Sequence, residues 1–176
     1  MTELRVAHTA DLAPDTLAAV RALLKGVFDD FDDTGWAHSL GGMHVIALAD
    51  GAPIGHASVV QRQLLYQGRA LRTGYVEGVA VRADRRRRGV GDALMASVDR
   101  IVRGGYELGA LSSSAVAVPL YTGRGWQLWQ GKSSAMTPNG VRPTEDDDGG
   151  IYVLPVSVEL DLSAELTCDW RDGEVW

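Results

Sequence analysis

The stretch VAVRADRRRRGVGD, residues Val79 to Asp92, joins the end of an apolar strand pattern to a basic turn and the start of a helical pattern. Gly89 and Gly91 allow a tight turn with its backbone amides facing one way. A helix that begins there adds the positive end of its dipole to four consecutive arginines, Arg85 to Arg88. The stretch therefore predicts a site for an anion such as a pyrophosphate. A solvated basic helix start without a ligand is the alternative that the motif leaves open.

The chain on either side of this stretch predicts a mixed α/β domain. Strand patterns cover residues 4–9, 43–49, 54–66 and 70–81, and a helical stripe follows Pro14. After the basic turn come a helix that ends at Gly104-Gly105, a strand at 108–111, a short helix capped by Ser112 to Ser114, and strands at 126–129 and 151–158. This order predicts one domain, residues 1–176, around a central sheet.

Composition and charge limit the classes of partner. Net charge is -6, with acidic clusters at residues 29–33 and 145–148, while the basic residues concentrate at 82–88. This balance argues against a nucleic-acid partner and suggests a cationic one, although acidic runs are also typical of a solvated surface.

Cysteine and histidine usage argues against a metal or disulfide protein. Cys168 is the only cysteine, and His8, His38, His44 and His56 lack metal-ligand spacing, so packing or surface roles are expected for them. The chain begins without a basic segment followed by an apolar one, and no apolar run reaches the roughly 20 residues that span a bilayer. We therefore expect a cytoplasmic protein with no metal and no membrane partner.

The basic turn resembles the R/Q-x-x-G-x-G/A signature of GNAT N-acetyltransferases, with Arg86, Gly89 and Gly91 at the signature positions. The resemblance implies the GNAT fold, a central and mostly antiparallel sheet flanked by helices, and acetyl-CoA as cosubstrate. It implies cofactor-binding residues at Val79, Ala80, Val81, Arg86, Arg87, Arg88, Gly89, Val90 and Gly91.

More specific blocks resemble the aminoglycoside 2'-N-acetyltransferases over nearly the whole chain. They are Gly41-Gly42-Met43-His44, Tyr75-Val76-Glu77-Gly78, the segment 109–114, Leu120-Tyr121 ahead of 124–126, and the ending from Cys168 to Trp176. This likeness implies acetyl transfer to the 2'-amine of a polycationic aminosugar, and hence antibiotic resistance. Two positions depart from the family pattern, since Gly35 and Glu174 stand where aspartates are expected.

The chemistry of amine acetylation selects Glu77 as a candidate base. An amine is largely protonated near neutral pH and must lose a proton before it attacks a thioester. Glu77 lies in an apolar strand, where a carboxylate is costly unless paired or hydrated, and it can act directly or through water. An ion pair with a nearby arginine is its alternative role. Gly78 permits the strand to open, so that the amide near Val79 would stabilise the thioester oxygen.

Tyr121 matches the general acid of the family. A phenol with a pKa of about 10 next to a thiol near 8.5 makes full proton transfer slightly uphill and favours a hydrogen bond to the departing sulfur. Packing in the core is the alternative role for this side chain.

A polycationic acceptor requires several carboxylates around the cleft. Asp30, Asp33, Asp146, Asp147 and Glu174 are the candidates. The resemblance adds the main chain of Glu77 and Gly78, the hydroxyl of Ser112, and the terminal carboxylate of Trp176. A terminal tryptophan is best explained by a tail that folds back into the cleft.

Two other functions stay open on the sequence. One is a GNAT enzyme for a different amine, such as a cell-envelope aminosugar, a polyamine or a peptide. The other is a non-enzymatic module that binds CoA, or nucleic acid through Arg85 to Arg88. A homodimer is expected because GNAT domains often pair, with Trp126 and Trp129 either at its surface or in the core.

Overall fold

The computed structural model describes residues 2–176, and their contacts divide into two compact units. The first unit contains the chain up to Val60 and Val76–Ile101, and the second contains Gln61–Tyr75 and Val102–Trp176. The prediction of a single domain over residues 1–176 stays a prediction.

Ten strands and four helices make up these units. The strands are β1 Thr2–His8, β2 Met43–Ala49, β3 Ala52–Tyr66, β4 Arg69–Val81, β5 Leu108–Ser112, β6 Gln127–Leu128, β7 Ser133–Thr137, β8 Gly140–Pro143, β9 Ile151–Pro155 and β10 Leu166–Cys168. The helices are α1 Pro14–Val27, α2 Asp33–His38, α3 Val90–Gly105 and α4 Val118–Thr122. Both β3 and β4 contribute residues to each unit.

In the first unit, β1 and β3 flank β2 in antiparallel register. The β1–β2 ladder runs from Thr2↔Ala49 to His8↔Met43, and β2 pairs with β3 from Met43↔Val59 to Ala49↔Ala52. Helix α1 packs its Val20 and Leu24 side chains into a cluster that includes Ile46 of β2 and Ala80 of β4. These contacts confirm the helical stripe predicted after Pro14. Phe28, the residue that ends α1, is 38% exposed and stacks on Phe31.

In the second unit, β4 and β3 each continue into a short series of strands. On one side the order is β4, β5, β9, β6, where β5 is parallel to β4 and antiparallel to β9. On the other side the order is β3, β10, β7, β8, where only the β10–β7 pair is parallel. The mixed and mostly antiparallel sheet predicted from the sequence is therefore confirmed.

The polar segment 132–150 contains two strands that the sequence does not predict. It forms the β7–β8 hairpin, in which the buried hydroxyls of Ser133 and Ser134 hydrogen-bond to other side chains and to the backbone. Because β8 is exposed throughout and β7 buries serines, neither strand shows the apolar alternation by which strands are predicted.

Two further predictions change in the structure. Ser114 precedes the 3₁₀ turn Ala115–Ala117 but makes no side-chain cap bond, so the expected serine cap is wrong. Trp126 and Trp129 are 2% and 1% exposed and belong to the interior of the second unit, so they offer no dimer surface. The homodimer itself stays a prediction. Over residues 2–176, no helix combines the length and apolar character that crossing a membrane requires.

Gly42 tests how tightly the first unit is packed. A Cβ atom built there would lie 2.1 Å from the carbonyl oxygen of Val59, which is backbone and cannot swing away. We expect Gly42→Ala to lower the free energy of unfolding by about 1–3 kcal/mol in urea denaturation. The control is Gly26→Ala in α1, where a Cβ meets nothing within 4 Å and the change should stabilise by about 0.5–1 kcal/mol. Equal stabilities of the two variants would contradict this packing.

Candidate active site

The basic turn leads from the end of β4 into α3. After Val81 the chain makes the 3₁₀ turn Ala83–Arg85, passes through positive φ angles at Arg87 (57°) and Gly89 (78°), and enters α3 at Val90. The Nε of Arg86 donates to the carbonyl of Val81 at 3.1 Å and ties the turn back to the strand.

This turn has the properties of an anion site. The first amides of a helix have no partner within the helix, and α3 is sixteen residues long, so its N-terminus has a developed dipole. Arg87 and Arg88 are exposed, whereas the charge of Arg82 is paired with Asp84 at 2.6 Å. The arrangement can hold a diphosphate on backbone amides, with arginines free to contact it from outside.

Strand β4 is kinked at Gly78, seven residues before the predicted cofactor turn begins at Arg85. Gly78 has a φ of 57°, a left-handed conformation that favours glycine. Two consecutive carbonyls, those of Glu77 and Gly78, accept hydrogen bonds from side chains of β3, Ser58 Oγ at 3.4 Å and His56 Nδ1 at 2.8 Å. In a regular strand successive carbonyls point to opposite edges, so Gly78 marks the expected interruption.

The ladder between β4 and β5 ends before this kink. Its three pairs run from Thr73↔Leu108 to Tyr75↔Ala110. Glu77 and Val79, both half-buried, come after the last pair. This is the point where the sequence predicts the strand to open for a thioester.

Two buried histidines, for which the sequence predicts packing or surface roles, connect this kink to Thr9, the residue after β1. Thr9 Oγ1 lies 2.8 Å from His44 Nε2, His44 Nδ1 lies 2.9 Å from His56 Nε2, and His56 bonds to Gly78. Both imidazoles are 0% exposed. Burial lowers the pKa of His44 to about 4, helped by repulsion from His8, and lowers that of His56 to about 3 against the opposing bond to Gly78. The sequence contains a signal for the burial of both histidines, since each stands among apolar residues within a predicted strand.

Tyr121 lies in the second unit, on α4. It is 5% exposed and packs edge-on against Trp126 and beside Tyr152, with ring centroids 6.4 and 6.5 Å away. Burial raises the pKa of the Tyr121 phenol to about 12. A phenol this weakly acidic is suited to donate a hydrogen bond to a sulfur rather than to give up its proton completely.

The second unit also gathers the acidic candidates near its C-terminus. Asp147 is partly buried, and desolvation together with repulsion from Glu174, Asp146 and Asp148 raises its pKa. Asp148 has a structural role, because it accepts from Lys132 Nζ at 2.9 Å and from the Ser133 hydroxyl at 2.8 Å. The carboxylates of Asp146, Asp147 and Glu174 thus form a cluster whose repulsion a cation would relieve.

The C-terminal tail is folded onto the second unit. Trp176 is 4% exposed, and its indole Nε1 donates to Thr144 Oγ1 at 2.9 Å. The tail is also bound where Arg171 Nε donates to the carbonyl of Glu174 at 2.7 Å and Cys168 Sγ to that of Val175 at 3.4 Å. Ser112 is exposed at the end of β5, next to the backbone bond from Ser113 to Gly150. The tail therefore folds back onto its own unit, as far as Trp176 and Thr144. Its predicted place in a substrate cleft stays a prediction.

The other acidic candidates lie in the first unit, around the short helix α2. Asp32 caps this helix by accepting from the Gly35 amide at 2.8 Å, and Asp33 forms an ion pair with Arg21. Asp30 is exposed in the preceding turn. Asp33 is thus partly neutralised by a cation of the protein itself, while Asp30 is the more available acid.

Comparison with known proteins identifies the family. A family model described as an acetyltransferase (GNAT) domain matches residues 10–129. The chain belongs to the GNAT acetyltransferase family. It is 51% identical to the aminoglycoside 2'-N-acetyltransferase of Mycolicibacterium fortuitum over 98% of this chain and 91% of that protein.

Solved GNAT structures share the fold. A GNAT family N-acetyltransferase from Escherichia coli in complex with CoA aligns over 95% of this chain and 89% of its own, with a TM-score of 0.65 and 18% identity. A GNAT acetyltransferase from Brucella melitensis in complex with acetyl-CoA aligns over 93% and 94%, with a TM-score of 0.61 and 15% identity. Family membership confirms the predicted cosubstrate, acetyl-CoA. Within residues 2–176, no group of three or more His, Cys, Asp or Glu side chains is placed to hold a metal ion.

The histidine pair predicts a pH dependence of stability in this GNAT protein. In the unfolded chain both imidazoles take up protons near their ordinary pKa of 6.5, whereas in the folded chain they stay neutral until about 4 and about 3. The unfolded state therefore binds more protons as the pH falls below 6.5, and stability falls with it. The slope should approach about 1.4 kcal/mol per pH unit for each histidine.

Urea denaturation between about pH 7 and pH 5 measures this slope, above the range where most carboxylates titrate. The variant His44→Gln should lose roughly half of it. A slope that is unchanged in this variant would contradict the burial of a neutral His44.

Proposed function

We propose that this protein transfers the acetyl group of acetyl-CoA to the 2'-amine of aminoglycoside antibiotics. The observation that carries the proposal is the 51% identity with the Mycolicibacterium fortuitum enzyme over nearly the full length of both chains. The geometry supports it, since the first unit combines an anion site with a kinked strand and the second gathers the carboxylates that a polycation needs.

The cofactor would bind at the basic turn. Its diphosphate would take the amides at the start of α3, between Arg86 and Gly91, and its pantetheine would follow the backbone of Val79, Ala80 and Val81. The thioester oxygen would then approach the amide of Val79, beyond the end of the β4–β5 ladder.

The proposed transfer begins with deprotonation of the acceptor amine. Glu77, directly or through water, accepts a proton from the substrate ammonium, and the freed nitrogen lone pair attacks the thioester carbon. The carbon–sulfur bond of the tetrahedral intermediate breaks, and the sulfur takes the electron pair. A hydrogen bond from the Tyr121 phenol stabilises the thiolate. The attacking nitrogen, which is cationic in the intermediate, loses its second proton to water as the amide forms, the thiolate takes up a proton from water to give CoA, and Glu77 returns its proton to solvent. The carboxylates of Asp30, Asp147 and Glu174 would bind the remaining ammonium groups.

Acceptor selectivity tests the function most simply. Thiol release from acetyl-CoA should occur with tobramycin, which has a 2'-amine, and be absent with kanamycin A, which has a 2'-hydroxyl. Mass spectrometry of the product then identifies the acetylated sugar. Turnover with both compounds would move the reaction to another amine, and turnover with neither would overturn the aminoglycoside proposal.

The role of Glu77 predicts a change in turnover with little change in binding. We expect Glu77→Gln to lower kcat for tobramycin by about 100-fold or more, because the amide has no basic oxygen to take the proton. The KM for acetyl-CoA should change by less than about threefold, since Glu77 is not needed for cofactor affinity. A kcat within about twofold of the wild type would contradict its role as the base.

The acidic cluster predicts a loss of acceptor affinity. We expect Asp147→Asn and Glu174→Gln each to raise the KM for tobramycin about tenfold, and added salt to raise the wild-type KM. The matched control is Asp15→Asn, an exposed acid in the first turn of α1, which should leave KM unchanged. Equal KM values in all three variants would remove the cluster from the acceptor site.

A different primary amine is the second candidate function. The observations that favour it are Gly35 and Glu174, at which the chain departs from the family pattern, and the pairing of Asp33 with Arg21. The lack of a carboxylate at Gly35 and the pairing of Asp33 with Arg21 both reduce the negative charge available near α2. Assays with polyamines and with peptide N-termini separate this candidate from the first.

A further inference from the structure

The hydrogen-bonded chain of Thr9, His44 and His56 ends on the backbone at the kink of β4. Its three contacts, at 2.8, 2.9 and 2.8 Å, are all of good hydrogen-bond length, and all its members belong to the first unit. The transfer chemistry proposed above uses none of these side chains, although the chain terminates one residue from Glu77.

The chemistry of the terminal acceptor fixes the direction of every bond. The carbonyl of Gly78 can only accept, so Nδ1 of His56 must carry a proton and donate it. In a neutral ring Nε2 of His56 then accepts, and it accepts from Nδ1 of His44. Nε2 of His44 is then an acceptor for the Thr9 hydroxyl at 2.8 Å, which is closer than the other acceptor of that hydroxyl, the Gly42 carbonyl at 3.2 Å. The Thr9 oxygen itself accepts from the amide of Gly41 at 2.9 Å. Each link therefore holds the next in one tautomer.

The last bond of the chain determines where an amide points. In a trans peptide the C=O and the following N–H are antiparallel, and the described residues contain no cis peptide bond. Since the Gly78 carbonyl is directed at His56, the N–H of Val79 points away from it. The same argument applies one residue earlier, where the Glu77 carbonyl faces Ser58 and the N–H of Gly78 points away. Two consecutive amides are thus turned to the side opposite β3.

We propose that His56, supported by His44 and Thr9, is a positioning residue that holds the Gly78–Val79 peptide so that the Val79 amide faces the thioester oxygen. The inference rests on the proposed function, which places acetyl-CoA beside this strand. Glycine has the widest backbone freedom of any residue, so a kink at Gly78 needs an external bond to keep one orientation. An oxyanion donor is effective only when its direction is set before the reaction.

The desolvation cost of burying His44 and His56 indicates that they do more than fill space. Two imidazoles with 0% exposure occupy positions on β2 and β3 that are flanked by Val45, Ile46 and Ala57, where an aliphatic side chain would fill space without the cost of desolvation. Gly78 has little room to adjust, because a Cβ there would lie 3.1 Å from Ser39 Oγ and 3.2 Å from His56 Nδ1. These close neighbours restrict movement of the Gly78–Val79 peptide relative to the Nδ1–H of His56.

The test reads the polarisation of the thioester directly. Infrared difference spectra of bound [1-¹³C]acetyl-CoA should show the carbonyl stretch lowered relative to free cofactor in the wild type. His56→Leu, which removes the donor, should lose most of this lowering and reduce kcat about 10- to 100-fold, below the full effect of deleting an oxyanion donor. KM for acetyl-CoA should stay within about threefold.

Two further variants separate positioning from stability. His56→Asn places an amide N–H close to the position of Nδ1 and should restore much of the carbonyl shift. Thr9→Val removes only the distal donor and should give a smaller loss of the same sign. The control is Val59→Ala, which removes buried methyl groups from the same strand and should lower stability while leaving the carbonyl frequency unchanged. If His56→Leu does not fold, Thr9→Val and His56→Asn decide the outcome.

The outcomes for this inference and for the proposed function are distinct. A wild-type shift that survives in folded His56→Leu, or in Thr9→Val when His56→Leu does not fold, overturns the inference even if tobramycin is acetylated. A shift that is lost in His56→Leu and regained in His56→Asn supports it even if no aminoglycoside is acetylated. Acetyl-CoA that binds the wild type with no shift overturns it as well, and absence of acetyl-CoA binding overturns both.

Discussion

The hydrogen bond from His56 to the carbonyl of Gly78 is the constraint on which the candidate active site depends. It fixes a left-handed residue within β4 and sets the direction of the amides that follow. The base candidate Glu77 lies on one side of this residue and the oxyanion candidate Val79 on the other. Because the peptide plane is rigid, the bond from His56 that directs the Gly78 carbonyl towards β3 also directs the Val79 N–H away from β3.

The two units carry opposite charges at the proposed binding sites, one for the cofactor phosphates and one for the cationic acceptor. The first unit carries arginines and a helix N-terminus for the phosphates of the cofactor, and the second carries Asp146, Asp147 and Glu174, whose mutual repulsion raises the pKa of Asp147. Neighbouring ion pairs remove other candidates, since Asp148 is paired with Lys132 and Asp33 with Arg21. Among the acidic candidates, Asp30, Asp146, Asp147 and Glu174 lie outside these two ion pairs, and they are the ones proposed to bind a polycation.

The sequence predicts the parts of this fold that have strong local signals. The strands before the basic turn, the glycine interruptions in β4 and helix α3 follow from periodicity and turn chemistry. Strands β7 and β10 lack that signal, because their burial depends on serine and threonine hydroxyls that bond to distant partners such as Asp148 and Glu165. Strand β8 lacks it because it is exposed throughout. The apolar neighbours of His44 and His56 indicate that both imidazoles are buried, but the hydrogen-bonded chain itself could not be predicted, because each ring bonds to a partner twelve or more residues away. The pairing of Asp33 with Arg21 across the α1–α2 turn is likewise a property of the folded chain.

The most direct test of this account is the ¹⁵N NMR spectrum of the imidazole nitrogens at neutral pH. The account predicts that His44 and His56 are both neutral, each protonated at Nδ1 and unprotonated at Nε2, because the Gly78 carbonyl can only accept. The pattern should persist to about pH 5, since the pKa values lie at about 4 and about 3. A spectrum with the His56 proton on Nε2 alone would contradict this arrangement, because the Gly78–Val79 peptide would then lack the bond that holds it. A cationic ring would contradict the neutral chain of tautomers, because its Nε2 could no longer accept from the preceding donor.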